Sequence, residues 1–296
     1  LVSYGADVVE PLWSIERYLD FVLLLMVATA LAFQLPVLQM LLAALGISEV
    51  RVRAPVKAAV LCTGAELVDD NAALADGQIR NSNGPYLRAT LPAMGAQVGL
   101  YRSVPDSAAD YAEAVRAAEQ AGCRIILSTG AVSMGVHDFV PETLRALGAE
   151  LVFHKLQLRP GKPTLFAVLP SGALLFGLPG NPMSCAVGAR FFVQAALRQM
   201  QGLPPEQPLR AMLQAPVRKK PGWTLIQKAA LAVSDDAQLQ LRVLAGQESF
   251  RIQPFAQANA WAVLPESDTA LDAGRVLDCY PLQPRLMEWP CVPASA

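Results

Sequence analysis

The 296-residue chain is short of the residues that build metal and disulfide sites. It has two histidines, His137 and His154, too few for a three-histidine metal centre. Its five cysteines, Cys62, Cys123, Cys185, Cys279 and Cys291, form no CxxC pair and are odd in number. Structural zinc and a dense disulfide framework are therefore disfavoured, and scattered, reduced, buried thiols in a reducing compartment are expected. Charge is scarce as well. Charged residues make up 17%, and 24 basic against 25 acidic side chains leave a formal net charge of −1. No global field draws the chain to nucleic acid or to an anionic bilayer. Two nucleotide signatures are missing: there is no GxxxxGK[ST] and no strand–GxGxxG–helix. Apolar residues, in contrast, reach 53%, with a mean hydropathy of +0.33, which excludes a mostly disordered chain. At roughly 100–200 residues per domain, the length allows one large or two to three small domains.

The apolar excess is concentrated early. From Phe21 to Ser48 there is no charged residue, and the polar interruptions before Ser48 are Thr29, Gln34 and Gln39. The run exceeds the ~20 residues needed to cross a ~30 Å hydrocarbon core. Pro36 would kink a helix there. No basic segment precedes it, which argues against a signal peptide. A kinked membrane span, a buried helical hairpin and a segment with no role in the folded product are the alternatives. The chain begins with Leu1 rather than Met, which reads as a start inside a longer pattern. Pro11, Ser14, Tyr18, the FVLLL run and Phe33-Gln34-Leu35-Pro36 make residues 3–47 resemble an internal piece of TatC, a multi-span component of the twin-arginine translocase.

After Ser48 the texture changes. Short apolar runs at 58–62, 97–101, 124–128, 151–156, 164–169 and 173–177 predict strands. Helical patterns fill 83–94, 108–121, 139–147 and 182–200. This alternation predicts an α/β domain, a mostly parallel sheet covered by helices. Asp106-Ser107 is a capping signal for the second helix. Strand-like runs at 209–215, 239–244, 260–265 and 275–280, broken by Gly and Pro, predict a small β domain. The expected division is 1–50, apolar and helical; 51–205, α/β; 206–284, β; and 285–296, a Pro-rich tail. Gly202-Leu203-Pro204-Pro205 is the expected hinge.

Four loops follow predicted strands, where open α/β sheets bind ligands. The first holds Thr63, Gly64 and Glu66; the carboxylate could bind a metal or orient a hydroxyl. The second runs from Thr129 and Gly130 through Ser133 and Gly135 to Asp138. Its small residues let the backbone approach a phosphate, with Asp138 placed to hold a divalent ion. The third, Arg159-Pro160-Gly161-Lys162-Pro163, stiffens a turn carrying two cations suited to an oxyanion. The fourth, Pro179-Gly180-Asn181-Pro182 with Ser184, enters a helix; Asn181 is its expected N-cap and Pro182 its first turn. Each loop also has a plainer reading as an ordinary turn or cap. Together they suit an oxyanion-rich ligand with a divalent ion.

STGAVSMGVHDF (128–139), RPGKP (159–163), FGLPGNPMS (176–184) and CTGAELVDD…ADGQIRNSN (62–83) resemble, in order and spacing, the molybdopterin molybdenumtransferase family, to which the C-terminal part of gephyrin is also similar. The resemblance implies a three-layer molybdopterin-binding domain followed by the family's β domain. It implies adenylylated molybdopterin and molybdate as substrates, Mg²⁺ as cofactor, AMP release, a cytoplasmic body and a homodimer, with no nucleic-acid partner. Asp138, Glu66 and Lys162 are implied as catalytic, Asp138 and Glu66 as metal-binding. Thr63, Gly64, Thr129, Gly130, Ser133, Gly135, Arg159, Gly161, Pro179, Gly180, Asn181, Pro182 and Ser184 are implied as the binding set. The sequence departs from the family pattern at Ala65, Ala131 and Val136, where the family carries Asp, Gly and an acidic residue; two fewer carboxylates weaken a metal-assisted site. Alternatives are a molybdopterin adenylyltransferase, disfavoured by the β domain and the last two loops, and a non-catalytic binding or scaffold module, membrane-tethered if residues 21–47 contact a bilayer.

Overall fold

The computed structural model describes residues 36–50, 52–69, 73–130 and 139–282, together with Val22, Met26, Thr29 and Gln34. The chain divides into two compact units between Arg53 and Ala54. In the first, residues 36–44 are helical and the helix stops at Gly46, whose φ is +69°. Among the described residues no helix is long and apolar enough to cross a membrane. Most of residues 21–35 lie outside the described set.

The second unit opens on β1 (Val56–Thr63), whose last six residues are all buried. A strand buried on both faces belongs at the centre of a parallel sheet. The chain continues through β2 (Leu67–Val68), β3 (Ile79–Arg80), α1 (Asn83–Ala93), β4 (Ala96–Val104), α2 (Ala108–Gln120), β5 (Ile125–Gly130) and α3 (Val140–Ala146). Next come β6 (Glu150–His154), β7 (Leu158–Arg159), β8 (Leu165–Val168) and β9 (Leu174–Pro179). Helix α4 (Pro182–Gly188), a π-turn (Ala189–Val193) and α5 (Gln194–Gln201) complete this half. The sheet order is β4-β1-β5-β9-β8-β6. The first four strands are mutually parallel, whereas β8 is antiparallel to both neighbours, so the sheet is mixed.

Alternation along β1 builds two cores. Ala59 and Leu61 pack with Tyr111, Ala114 and Leu144 of α2 and α3. Ala58, Val60 and Cys62 pack on the opposite face with Leu87, Leu91, Cys185 and Leu197 of α1, α4 and α5. Three layers result, each fully buried Leu or Val side chain contributing about 1.5–3 kcal/mol. Cys62, Cys123 and Cys185 are free, buried thiols, Cys279 is buried as well, and burial pushes the Cys185 thiol up; Cys291 lies outside the described residues. The capping signal before α2 resolves onto Ser107, whose hydroxyl accepts the Asp110 N–H at 3.4 Å.

The remaining strands are β10 (Leu209–Leu213), β11 (Val217–Arg218), β12 (Thr224–Val233), β13 (Leu239–Val243), β14 (Ala260–Leu264), β15 (Ala270–Leu271) and β16 (Val276–Pro281). They run β13-β10-β16-β14-β12, and β12 pairs back onto β13, closing a small barrel. The barrel interior is apolar, with Leu213, Ala229, Leu241, Ala262 and Leu277 at its centre. The hydropathy pattern did not reveal β12, because Lys228 interrupts it. That lysine is 1% exposed, and its Nζ donates to the carbonyls of Gly246 at 2.7 Å and Arg251 at 3.0 Å. Burial holds its pKa below the ordinary lysine value.

Strand pairing and a buried ion pair help to join the barrel to the α/β layers. Strand β7 pairs in parallel with β12, Leu158 opposite Thr224 and Arg159 opposite Leu225. The π-turn places Arg190 against Glu206 in a bidentate pair of 2.8 and 2.8 Å, with side chains 3% and 8% exposed. Arg190 Nε also donates to Pro281 O at 3.0 Å, at the end of β16. Glu206→Ala would leave the guanidinium buried and uncompensated, a defect that costs about 3–5 kcal/mol. Urea denaturation should show a loss of that size; a loss under about 1 kcal/mol would remove the pair from any structural role.

Asp69 fixes the start of α1. Its carboxylate accepts hydrogen bonds from Asn81 Nδ2 at 2.8 Å, Tyr101 OH at 2.8 Å and Ser103 Oγ at 2.7 Å. Asn81 Oδ1 in turn accepts the Gly84 N–H at 2.9 Å. Burial raises the Asp69 pKa, but the three donors outweigh it and hold the carboxyl below its ordinary value. A lowered carboxylate pKa gives stability that is present above the unfolded-state pKa and is lost as pH falls through the folded-state value. Asp69→Asn should therefore lower stability at pH 7 and shrink the difference between pH 7 and pH 3. Urea midpoints at the two pH values check this; an unchanged difference rejects it.

Candidate functional site

Strands β1, β5 and β9 end side by side, Cys62 opposite Thr129 and Gly130 opposite Pro179. Their carboxyl ends open into a cavity of about 900 Å³ that lies between the sheet and the barrel. Thr63 Oγ1 donates to Thr129 O at 2.9 Å, tying the first two ends together. Gly130 has φ +115°, and a Cβ there would overlap the Thr63 carbonyl oxygen. Only glycine lets β5 pass so close to β1. Gly64, with φ +143°, similarly leaves space for the Glu66 carboxylate, which a Cβ would meet at 2.8 Å.

The cavity has carboxylates in its lining. Glu66 lines it, and so does Asp106, which sequence reading assigned to capping. Asp106 Oδ2 instead accepts the Ala65 N–H at 3.3 Å, holding the first loop from across the sheet. Its capping position hid this second use. Asn83 also lines the cavity and donates from Nδ2 to Gly180 O at 2.8 Å.

Cations line the same cavity. Arg159, Gly161 and Lys162 line it, carried there by the pairing of β7 with β12. Pro179, Gly180, Asn181 and Ser184 form the adjoining wall. Asn181 is the N-cap residue of α4, but its side chain makes no capping bond and donates to Ser249 Oγ at 3.0 Å. Ser249 O accepts the Met183 N–H at 3.0 Å. Pro182 is the first residue of α4 and lies outside the cavity lining.

The barrel also contributes to the lining through Leu225, Ile226, Gln227, Gln247 and Ser249. None of these was legible locally. Gln247 donates to Lys228 O at 2.8 Å and accepts the Lys228 N–H at 3.0 Å, so it serves as a piece of strand for β12. The Gln227 Oε1 is buried with no hydrogen-bond partner among the described residues.

Ser133, Gly135 and Asp138 lie outside the described residues. Among the described residues no group of three or more His, Cys, Asp or Glu side chains could hold a metal ion. Glu66 and Asp106 are two carboxylates on one cavity, a donor set suited to Mg²⁺, which takes one or two carboxylates and completes its shell with waters and substrate phosphates.

Residues 59–199 match the family model described as "Probable molybdopterin binding domain", and residues 210–282 match the MoeA C-terminal region (domain IV). Residues 1–62 match the Sec-independent protein translocase protein (TatC). The chain is 36% identical over 241 residues to a molybdopterin molybdenumtransferase of Synechococcus elongatus, a match covering 81% of this chain and 59% of that protein. One from Staphylococcus aureus is 36% identical over 241 residues, covering 80% and 56%. In fold, the chain is similar to a molybdopterin biosynthesis MoeA protein from Pyrococcus horikosii, with TM-score 0.67 and 24% identity, covering 83% of this chain and 59% of that one. A molybdenum cofactor biosynthesis protein from Pyrococcus furiosus gives TM-score 0.58 at 23% identity, covering 81% and 74%. The chain thus spans less than two thirds of the length of the curated relatives it matches. Through residues 59–282 it belongs to the molybdopterin molybdenumtransferase family.

Proposed function

We propose that the second unit is a molybdopterin-binding module that takes adenylylated molybdopterin in the cavity between sheet and barrel. The observation that carries this reading is the meeting of Arg159 and Lys162 with the ends of β1, β5 and β9 in one cavity. An adenylylated pterin carries phosphate charge, and molybdate brings more negative charge beside it. Fixed cations and backbone N–H groups offset that repulsion without having to reorganise. Arg159 offers a planar fork to a phosphate and Lys162 a compact point charge.

A second reading, molybdenum insertion with AMP release, is favoured by the two carboxylates that share the cavity with Lys162. In that reading Glu66 and Asp106, with Asp138, would hold Mg²⁺, which polarises a phosphoryl group when bound. The residues present would place water and ligand. Water would add to phosphorus, the bond from phosphorus to the pterin-side oxygen would break, and AMP would leave while that oxygen takes a proton. In that reading Lys162, which lines the same cavity, would stabilise the charge that develops on the phosphoryl oxygens.

Calorimetric titration of the full chain with adenylylated molybdopterin in the presence of Mg²⁺ should give micromolar binding; its absence rejects the proposal. Lys162→Ala removes a charge-assisted contact of about 1.5–3 kcal/mol, so affinity should fall by about ten- to a hundredfold. An assay of AMP released on adding molybdate separates the two readings. Binding without AMP release leaves a binding module, and molybdate-dependent AMP release supports the transferase.

A further inference from the structure

The two cavity cations have an unusual support. Trp223 is the residue immediately before β12, and its ring lies against both of them. The Arg159 guanidinium carbon is 4.1 Å from the ring centroid and Lys162 Nζ is 5.8 Å from it. The backbone around Trp223 is held on either side. The Thr224 N–H donates to Gln157 O at 3.0 Å, and Thr224 and Leu225 pair with β7. Lys219 Nζ donates to Trp223 O at 2.9 Å and to Glu266 O at 3.2 Å. Among the described residues neither Arg159 nor Lys162 has a carboxylate within ion-pair distance.

This choice of support has a physical consequence. A carboxylate would hold a cation but would cancel its charge and occupy its N–H donors. An indole face attracts the cation through its quadrupole and leaves both charge and donors available. It also removes rotamer freedom that a ligand would otherwise have to take away, and Arg and Lys carry about the largest side-chain entropies. Two cations are thereby held against one ring with their charges not neutralised by a carboxylate, an arrangement suited to a tetrahedral oxyanion.

We infer that Trp223 is a positioning residue for an oxyanion subsite, holding Arg159 and Lys162 against its ring so that a phosphoryl-type anion docks on both. Trp223 acts through those two side chains. The inference rests on reading the cavity as an oxyanion site, but it does not require that the anion belong to a pterin.

The test uses inorganic phosphate and the full chain at low ionic strength, read by tryptophan emission and by calorimetry. Phosphate should change the emission of the wild type, and this change should vanish in Trp223→Phe. Affinity for phosphate should fall about tenfold in Trp223→Ala and less in Trp223→Phe, since indole is the best aromatic partner for a cation and phenyl retains part of the attraction. In the Arg159→Ala background, Trp223→Ala should cost much less than it does alone, because its main client is gone. Equal phosphate affinity in wild type and Trp223→Ala, full additivity in the double mutant, or no phosphate binding by the wild type overturns the inference. If Trp223→Ala does not fold, Trp223→Phe and its combination with Arg159→Ala carry the same comparison. A separate competition arm keeps this apart from the proposed function. Trp223-dependent phosphate binding that adenylylated molybdopterin fails to displace supports the subsite and rejects the pterin reading.

Discussion

The short parallel contact between β7 and β12 governs the site. It is two residues long, yet it makes Leu158 and Arg159, which belong to the α/β half by sequence, part of the barrel's sheet. The turn that follows is consequently held between two bodies rather than hanging from one. The apolar cluster of Leu158, Met183, Val187, Ile226 and Trp261 buries the join from behind. Arg190, paired with Glu206 and bonded to Pro281 O, closes it at the other end of the helix. Rigid placement of this join matters because the cavity has one wall from each half.

The electrostatics follow from that placement. Carboxylates enter from the ends of the sheet, at Glu66 and Asp106, and cations enter from the β7 turn. The two signs face a common space instead of pairing with one another, so the cations are left available to an anion. Backbone geometry contributes as well. Gly130 lets β5 touch β1, and Asn83 and Asn181 tie the helix starts to the neighbouring wall and to the barrel.

Much of the α/β half was legible because each of its signals is local. Buried parallel strands read as short apolar runs, and glycine and proline mark their ends. The sheet is mostly parallel, as expected, and the strand that the apolar pattern left undirected is β8, which runs antiparallel to both neighbours. Nothing in a short apolar run encodes direction, since that depends on which edge the chain returns to. Strand β12 escaped notice for a different reason. Lys228 breaks its pattern, and the carbonyls of Gly246 and Arg251 that make its burial tolerable lie 18 and 23 residues further on, beyond the reach of a local pattern. Asp106 was recognised for the helix it precedes, and its reach to Ala65 needed the β1–β4 pairing to be known.

By itself the sequence determined the kind of residue at each loop: small where strands converge, cationic between prolines, and capping before helices. These follow from steric freedom and charge, which are properties of residues. Only the tertiary structure decided which loops share a cavity, that the barrel supplies Gln247 and Ser249 to it, and that an indole rather than a carboxylate stands behind Arg159. Those outcomes depend on strand register and on packing between segments 60 or more residues apart, as Arg159 and Trp223 are. No local pattern carries that information, because the free energy that selects it comes from burying one half against the other.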